Sequence, residues 1–188
     1  MKRGIGYVLL FLWITLAGSL QLALSAIAPT GGSDAAQLVR ALVPDLMTLV
    51  LVASVGRFAR RDVVMLALVA AAARATWTIA SPFALIAGCL VVALLADGIR
   101  RFAELDRASL RFCAAGAGSL ALSAWLLFVD FARASEARAR GQLGFGGVEA
   151  ADLSLPLATA LVTALAGVVL WPFLGNLPGL RRLERRAF

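Results

Sequence analysis

The chain has 188 residues, 61% of them hydrophobic, with a mean hydropathy of +0.89 and a formal net charge of +7. A soluble domain is about 45–50% apolar, so one buried core does not account for the excess. There is no His, which removes imidazole metal ligands and His general bases, and few aromatics interleave with the arginines, so no nucleic-acid partner is expected.

A lipid-spanning helix needs about 20 mostly apolar residues. Six segments approach this, and an all-α integral membrane protein, a six-helix transmembrane bundle forming one domain over residues 1–188, is expected. The first span runs from about Ile5 to Ala28 and ends at Pro29, Gly31 and Gly32, residues that helices avoid. Lys2-Arg3, the apolar run and Ala26-Ile27-Ala28 also follow the order of a signal peptide. The run is longer than the usual ~7–15 residues, so an uncleaved first helix is the expectation.

The second span covers about 41–56 and precedes a charged turn, Arg57, Arg60, Arg61 and Asp62. The third covers 63–80. Ser81-Pro82 makes a short hairpin, with Pro82 opening the fourth span, 83–99. A charged loop, Arg100 to Arg107, leads to the fifth, 109–132. The stretch from Arg133 to Arg140 favours helix and reads as a solvated extension of that span, while Gly141 to Gly147 is flexible. The sixth span covers 153–174, with Trp171-Pro172 as a candidate kink and Pro178-Gly179 as the stop.

Positive charge sorts by side. With the N-terminus inside, the inner segments hold 13 Lys and Arg residues and the outer ones hold 4: Arg40, Arg133, Arg138 and Arg140. This bias predicts cytoplasmic N- and C-termini.

Arg74 interrupts an Ala-rich stretch of the third span. A charge at membrane depth costs about 2.5–3.5 kcal/mol, so it must face protein or water. Asp45 follows Pro44 at the start of the neighbouring span. An Asp45–Arg74 pair in the outer half is therefore expected, either fixing helix register or forming a polar partner site. Asp97 is expected to pair with Arg100 or Arg101, and Asp130 with Arg133. Gln21 can bond across to a neighbouring helix. Gly116, Gly118, Ser119 and Ser123 belong to a small-residue face, suited to internal packing or to a subunit interface. Cys89 and Cys113 read as inert, buried thiols. No nucleophile with a base, phosphate loop or metal-ligand spacing is visible, so neither an enzyme nor a cofactor or metal site is expected.

Several short motifs together resemble the MreD family of rod-shape-determining membrane proteins. They are Leu20-Gln21, the run Leu42-Val43-Pro44-Asp45-Leu46 with its Leu/Val continuation, the hairpin Ser81-Pro82-Phe83, and Trp171-Pro172-Phe173-Leu174 followed by the basic tail Arg181 to Arg186. One departure is Arg74-Ala75-Thr76-Trp77, where family members carry Gly-Leu and an Asp. The resemblance implies a fold like the substrate-binding subunits of energy-coupling-factor transporters. It also implies a non-catalytic role in the bacterial inner membrane, in cell elongation and peptidoglycan synthesis. Its expected partners are an MreC-like bitopic protein, RodA, a penicillin-binding transpeptidase and MreB, with membrane lipid at the basic face. A substrate-binding subunit of a small-molecule transporter is the alternative.

Overall fold

A computed structural model describes residues 2–27, 39, 41–102, 107–140 and 154–177. Among the described residues are six α-helices of defined extent and one 3₁₀ turn, and no strand. They are α1 (Lys2–Ala26), α2 (Leu46–Val55), the turn Arg60–Asp62, α3 (Val63–Ala75), α4 (Pro82–Phe102), α5 (Ala108–Ala139) and α6 (Ser154–Gly175). Ala28, Pro29 to Gly32, Arg40, the stretch from Gly141 to Leu153 and the basic residues after Leu177 lie outside the described residues.

Among the described residues four helices are long and apolar enough to cross a membrane: Gly4–Ala26, Pro82–Arg101, Ala108–Glu136 and Ser154–Leu174. That content fits a transmembrane protein. The other two helices are shorter than the sequence suggests. Expected over 41–56, α2 has only 10 residues, about 15 Å at 1.5 Å per residue. Pro44 crowds the backbone of Val43 out of the helical region, so the expected run from 41 breaks there and the helix starts beyond it. Asp45 then caps the first turn, its carboxylate accepting from the Thr48 N–H at 3.1 Å. Expected over 63–80, α3 stops at Ala75 after 13 residues. Beyond it the side chains fold back: Thr76 Oγ1 donates to the Ala73 carbonyl at 2.7 Å and Thr78 Oγ1 to that of Arg74 at 3.3 Å. Such bonds compete with helix continuation.

The other boundaries fall near expectation. Pro82 opens α4, and Ser81 Oγ accepts from the Ala84 N–H at 3.2 Å as its cap. The fifth helix continues to Ala139, carrying the 133–139 stretch as helix. The sixth passes through Pro172 to Gly175.

The helices alternate in direction, and three contacts fix one common end. Tyr7, near the start of α1, donates its hydroxyl to Asp62 Oδ1 at 3.0 Å. Arg100, near the end of α4, donates to the carbonyls of Val55 and Phe58, each at 2.7 Å. Arg111, in the first turn of α5, lies over the ring of Trp171 near the end of α6, 5.6 Å from its centroid. This end, rich in arginine, is termed the basic end below.

The short α2 is the axle of the bundle. All 10 of its residues are buried, and it packs against α1, α3, α4, α5 and α6. A helix hydrophobic all round suits such a place. Around it the neighbours run α1, α3, α4, α5, α6, with the closest packing between α5 and α6. Small residues allow this. A Cβ on Gly167 of α6 would lie 2.7 Å from Ala115 Cβ, and one on Gly116 of α5 would lie 3.0 Å from Ala164 Cβ. Gly118 faces Val52, Val92 and Thr48 in the same way. The small-residue face of α5 is thus turned inward onto α2, α4 and α6. Between α1 and α6 the ring opens into an apolar groove of about 200 Å³, floored by Leu46, Leu49 and Val50 of α2.

Candidate functional site

The polar centre of the bundle is built at the start of α2. Pro44 and Asp45 set the helix origin, so the Asp45 carboxylate projects beside its own first turn. Arg74 reaches it from the last turn of α3. One terminal guanidinium nitrogen lies 2.8 Å from Asp45 Oδ2, and the other donates to Oδ1 and to Thr48 Oγ1, both at 3.2 Å. Thr48 Oγ1 itself donates to Asp45 Oδ2 at 2.7 Å. The two side chains are 12% and 8% exposed, so this is a buried, two-pronged ion pair. Arg74 Nε is buried with no hydrogen-bond partner among the described residues.

The network continues into α6. The Asp45 N–H donates to Thr163 Oγ1 at 2.9 Å, and Thr163 in turn donates to the Thr159 carbonyl at 2.7 Å. Thr159 Oγ1 donates to the Ala41 carbonyl at 3.1 Å. Ser119 of α5 reaches Thr163 at 3.5 Å. One charge pair therefore ties α2 to α3, and two threonines tie the same point to α6. Neither Thr48 nor Thr163 stands out when the sequence is searched for charges. The available signal is the spacing in Thr159-Ala160-Leu161-Val162-Thr163: the two threonines stand one turn apart in an otherwise apolar helix. Thr163 lies about 14 Å from the start of α6, whose length is about 33 Å. The pair thus sits slightly beyond mid-bundle, away from the basic end.

A second polar cluster closes the basic end. Asp97 is buried, with Arg101 at 2.9 Å in an i,i+4 pair and Arg100 at 3.8 Å in an i,i+3 pair. Arg60, from the turn before α3, adds a third guanidinium at 3.8 Å. Local pairing was readable from spacing, but Arg60 and the capping role of Arg100 come from tertiary packing. Arg100 satisfies the carbonyl of Val55, left without an intrahelical partner at the end of α2, and that of Phe58 in the turn after it.

The remaining candidates are more modest. Asp130 and Arg133 are 3.9 Å apart and well exposed, a geometry that contributes little. Gln21 Oε1 is buried and makes no hydrogen bond among the described residues, so the expected bond across helices is not made by that atom. Ser123 is half-buried on α5. Cys89 is buried, whereas Cys113 is exposed on α5, which corrects its reading as a buried thiol. Among the described residues no group of three or more Cys, Asp or Glu is placed to hold a metal ion.

In comparisons with known proteins, no family model matches the chain, and no curated protein or solved structure is significantly similar to it. The fold and site define a class: an all-helical protein with four membrane-length apolar helices and a buried ion pair at its centre.

Proposed function

We propose that this chain is a non-catalytic, multi-pass subunit of the bacterial inner membrane that serves as a scaffold in the cell-elongation machinery, as an MreD-like protein would. On this reading all six helices lie within the membrane, with both termini cytoplasmic and the basic end inside. The two short helices reach from the basic end to mid-depth. The fold is read as one like the substrate-binding subunits of energy-coupling-factor transporters. The partners are an MreC-like bitopic protein, RodA, a penicillin-binding transpeptidase and MreB.

The observation that carries the reading is the mutual pairing of Asp45 and Arg74, which leaves only Arg74 Nε without a partner among the described residues. Both carboxylate oxygens and both terminal guanidinium nitrogens are engaged within the bundle. The pair fixes α2 against α3, each charge being matched by the other at 2.8 Å. A transporter subunit needs a polar cavity at mid-depth. The groove between α1 and α3 and the one between α1 and α6 are instead lined almost wholly by apolar side chains. The Pro44-Asp45 motif, part of the resemblance, is also the origin of the central helix.

Affinity purification of the full chain from its native membrane tests this. A single-span protein with a periplasmic domain and a peptidoglycan synthase should co-purify. Recovery of no cell-wall protein overturns the elongation role, and a small molecule retained by the purified, partner-free chain favours the transporter alternative.

A further inference from the structure

We infer that the basic end carries a binding site for one anionic phospholipid, its phosphate held at the Arg60–Arg61 turn and an acyl chain lying between α1 and α3. Two independent features meet there. The first is charge. Residues 57–62 and 97–101 together hold five arginines against two aspartates. Asp97 gathers Arg60, Arg100 and Arg101 around one buried carboxylate, and it cannot neutralise three. Arg100 is committed to the Val55 and Phe58 carbonyls. Arg60 keeps 59% of its side chain exposed, Arg101 57%, and Arg61 is exposed as well. These guanidiniums, held at one edge, suit a phosphate diester. Asp62, the other acid, is occupied by the Tyr7 hydroxyl at 3.0 Å.

The second feature is a groove of about 350 Å³ lined by Tyr7, Val8 and Phe11 of α1 and Leu68, Val69 and Ala72 of α3. Its walls are almost wholly apolar. Tyr7 joins the two features: its ring lines the groove while its hydroxyl reaches Asp62, two residues along the turn from Arg60. The groove spans residues 68–72 of α3, about 8–14 Å from the helix start, the depth at which the upper part of an acyl chain lies. Arginines on the turn that Tyr7 touches, and an apolar trough that Tyr7 lines, fit an amphiphile with a negative head. Basic pockets between helices are a known mode of anionic lipid binding. The site rests on the membrane reading but not on the elongation role, so failure of either leaves the other standing.

The test is native mass spectrometry of the full chain, purified in mild detergent and offered an equimolar mixture of phosphatidylglycerol and phosphatidylcholine. The wild type should retain one phosphatidylglycerol in preference to phosphatidylcholine. Each arginine near a membrane surface is worth about fivefold in anionic-lipid affinity, so Arg60→Gln with Arg61→Gln should lower retention about 30-fold. These substitutions leave Arg100 and Arg101 on Asp97, and circular dichroism should show unchanged helix content. Filling the trough by Ala72→Phe should also displace the lipid, with the charges intact. Arg140→Gln, at the opposite end, should change nothing. Equal retention of the two lipids, or retention that survives the arginine substitutions, overturns the proposal. So does phosphatidylglycerol binding that is unaffected by Ala72→Phe, because the head would then bind without the trough.

Discussion

Replacing Arg74 by Met deletes the cation of the buried pair and keeps a long apolar stem. Asp45 then stays in place with only Thr48 to serve its carboxylate, through the N–H at 3.1 Å and the hydroxyl at 2.7 Å. Two effects can be compared. Three hydrogen bonds are lost, and at roughly 0.6 kcal/mol each inside a membrane bundle they sum to about 2 kcal/mol. An uncompensated buried charge costs about 3–5 kcal/mol. The charge dominates, so Arg74→Met should destabilise the protein by about 3–5 kcal/mol. Asp45→Asn keeps a cap on α2 but strands the guanidinium, at a similar cost. The double variant, Asp45→Asn with Arg74→Met, removes both charges and keeps the cap. It should lie within about 2 kcal/mol of the wild type, since neutral replacement of a buried pair is often nearly free. Unfolding of the purified variants in micelles by a graded denaturant completes the double-mutant cycle. Additive single effects, or a cost for Arg74→Met under about 1 kcal/mol, would refute the claim that the pair is buried and coupled. The double variant should also keep its membrane partners, because the pair acts by holding α2 and α3 together.

Three further outcomes follow from the packing. Gly167→Ala should destabilise by about 1–3 kcal/mol, since its Cβ meets Ala115 at 2.7 Å and Leu49 at 3.1 Å; Gly98→Ala, with nothing within 4 Å, should be neutral or mildly stabilising in the same thermal melt. Arg100→Gln should cost about 1–3 kcal/mol by leaving the Val55 and Phe58 carbonyls short of a donor, and hydrogen exchange at the end of α2 should rise. For orientation, in a background with Cys89 and Cys113 replaced by Ala, a membrane-impermeant maleimide added to intact cells should label Arg140→Cys and spare Arg61→Cys. The reverse pattern would invert the topology inferred from charge.

Much of the membrane character was legible from hydropathy alone, because a span is a local property of about 20 residues. The four long helices lie close to where apolar runs and breakers place them, and Ser81-Pro82 opens α4 as local rules require. The Asp45–Arg74 pair was also legible, because a lone charge in an apolar run demands a partner and the adjacent span offered one acid. The two short helices were not. Their ends depend on whether Pro44, Thr76 and Thr78 are met by capping side chains or by more helix, and hydropathy does not distinguish these.

Composition and order along the chain by themselves determined an apolar, helical protein with its positive charges grouped and one buried pair near its middle. Only the tertiary structure decided that α2 is the axle, that Thr163 extends the pair into α6, and that Arg60 and Arg100 come from different elements to serve one end. It also decided which way the small residues of α5 face. The physical reason is range. Hydropathy, capping and i,i+4 pairing act within a turn or a span and are written locally. Which helix surrounds which is set by close packing of side chains far apart in sequence, and no local pattern records it.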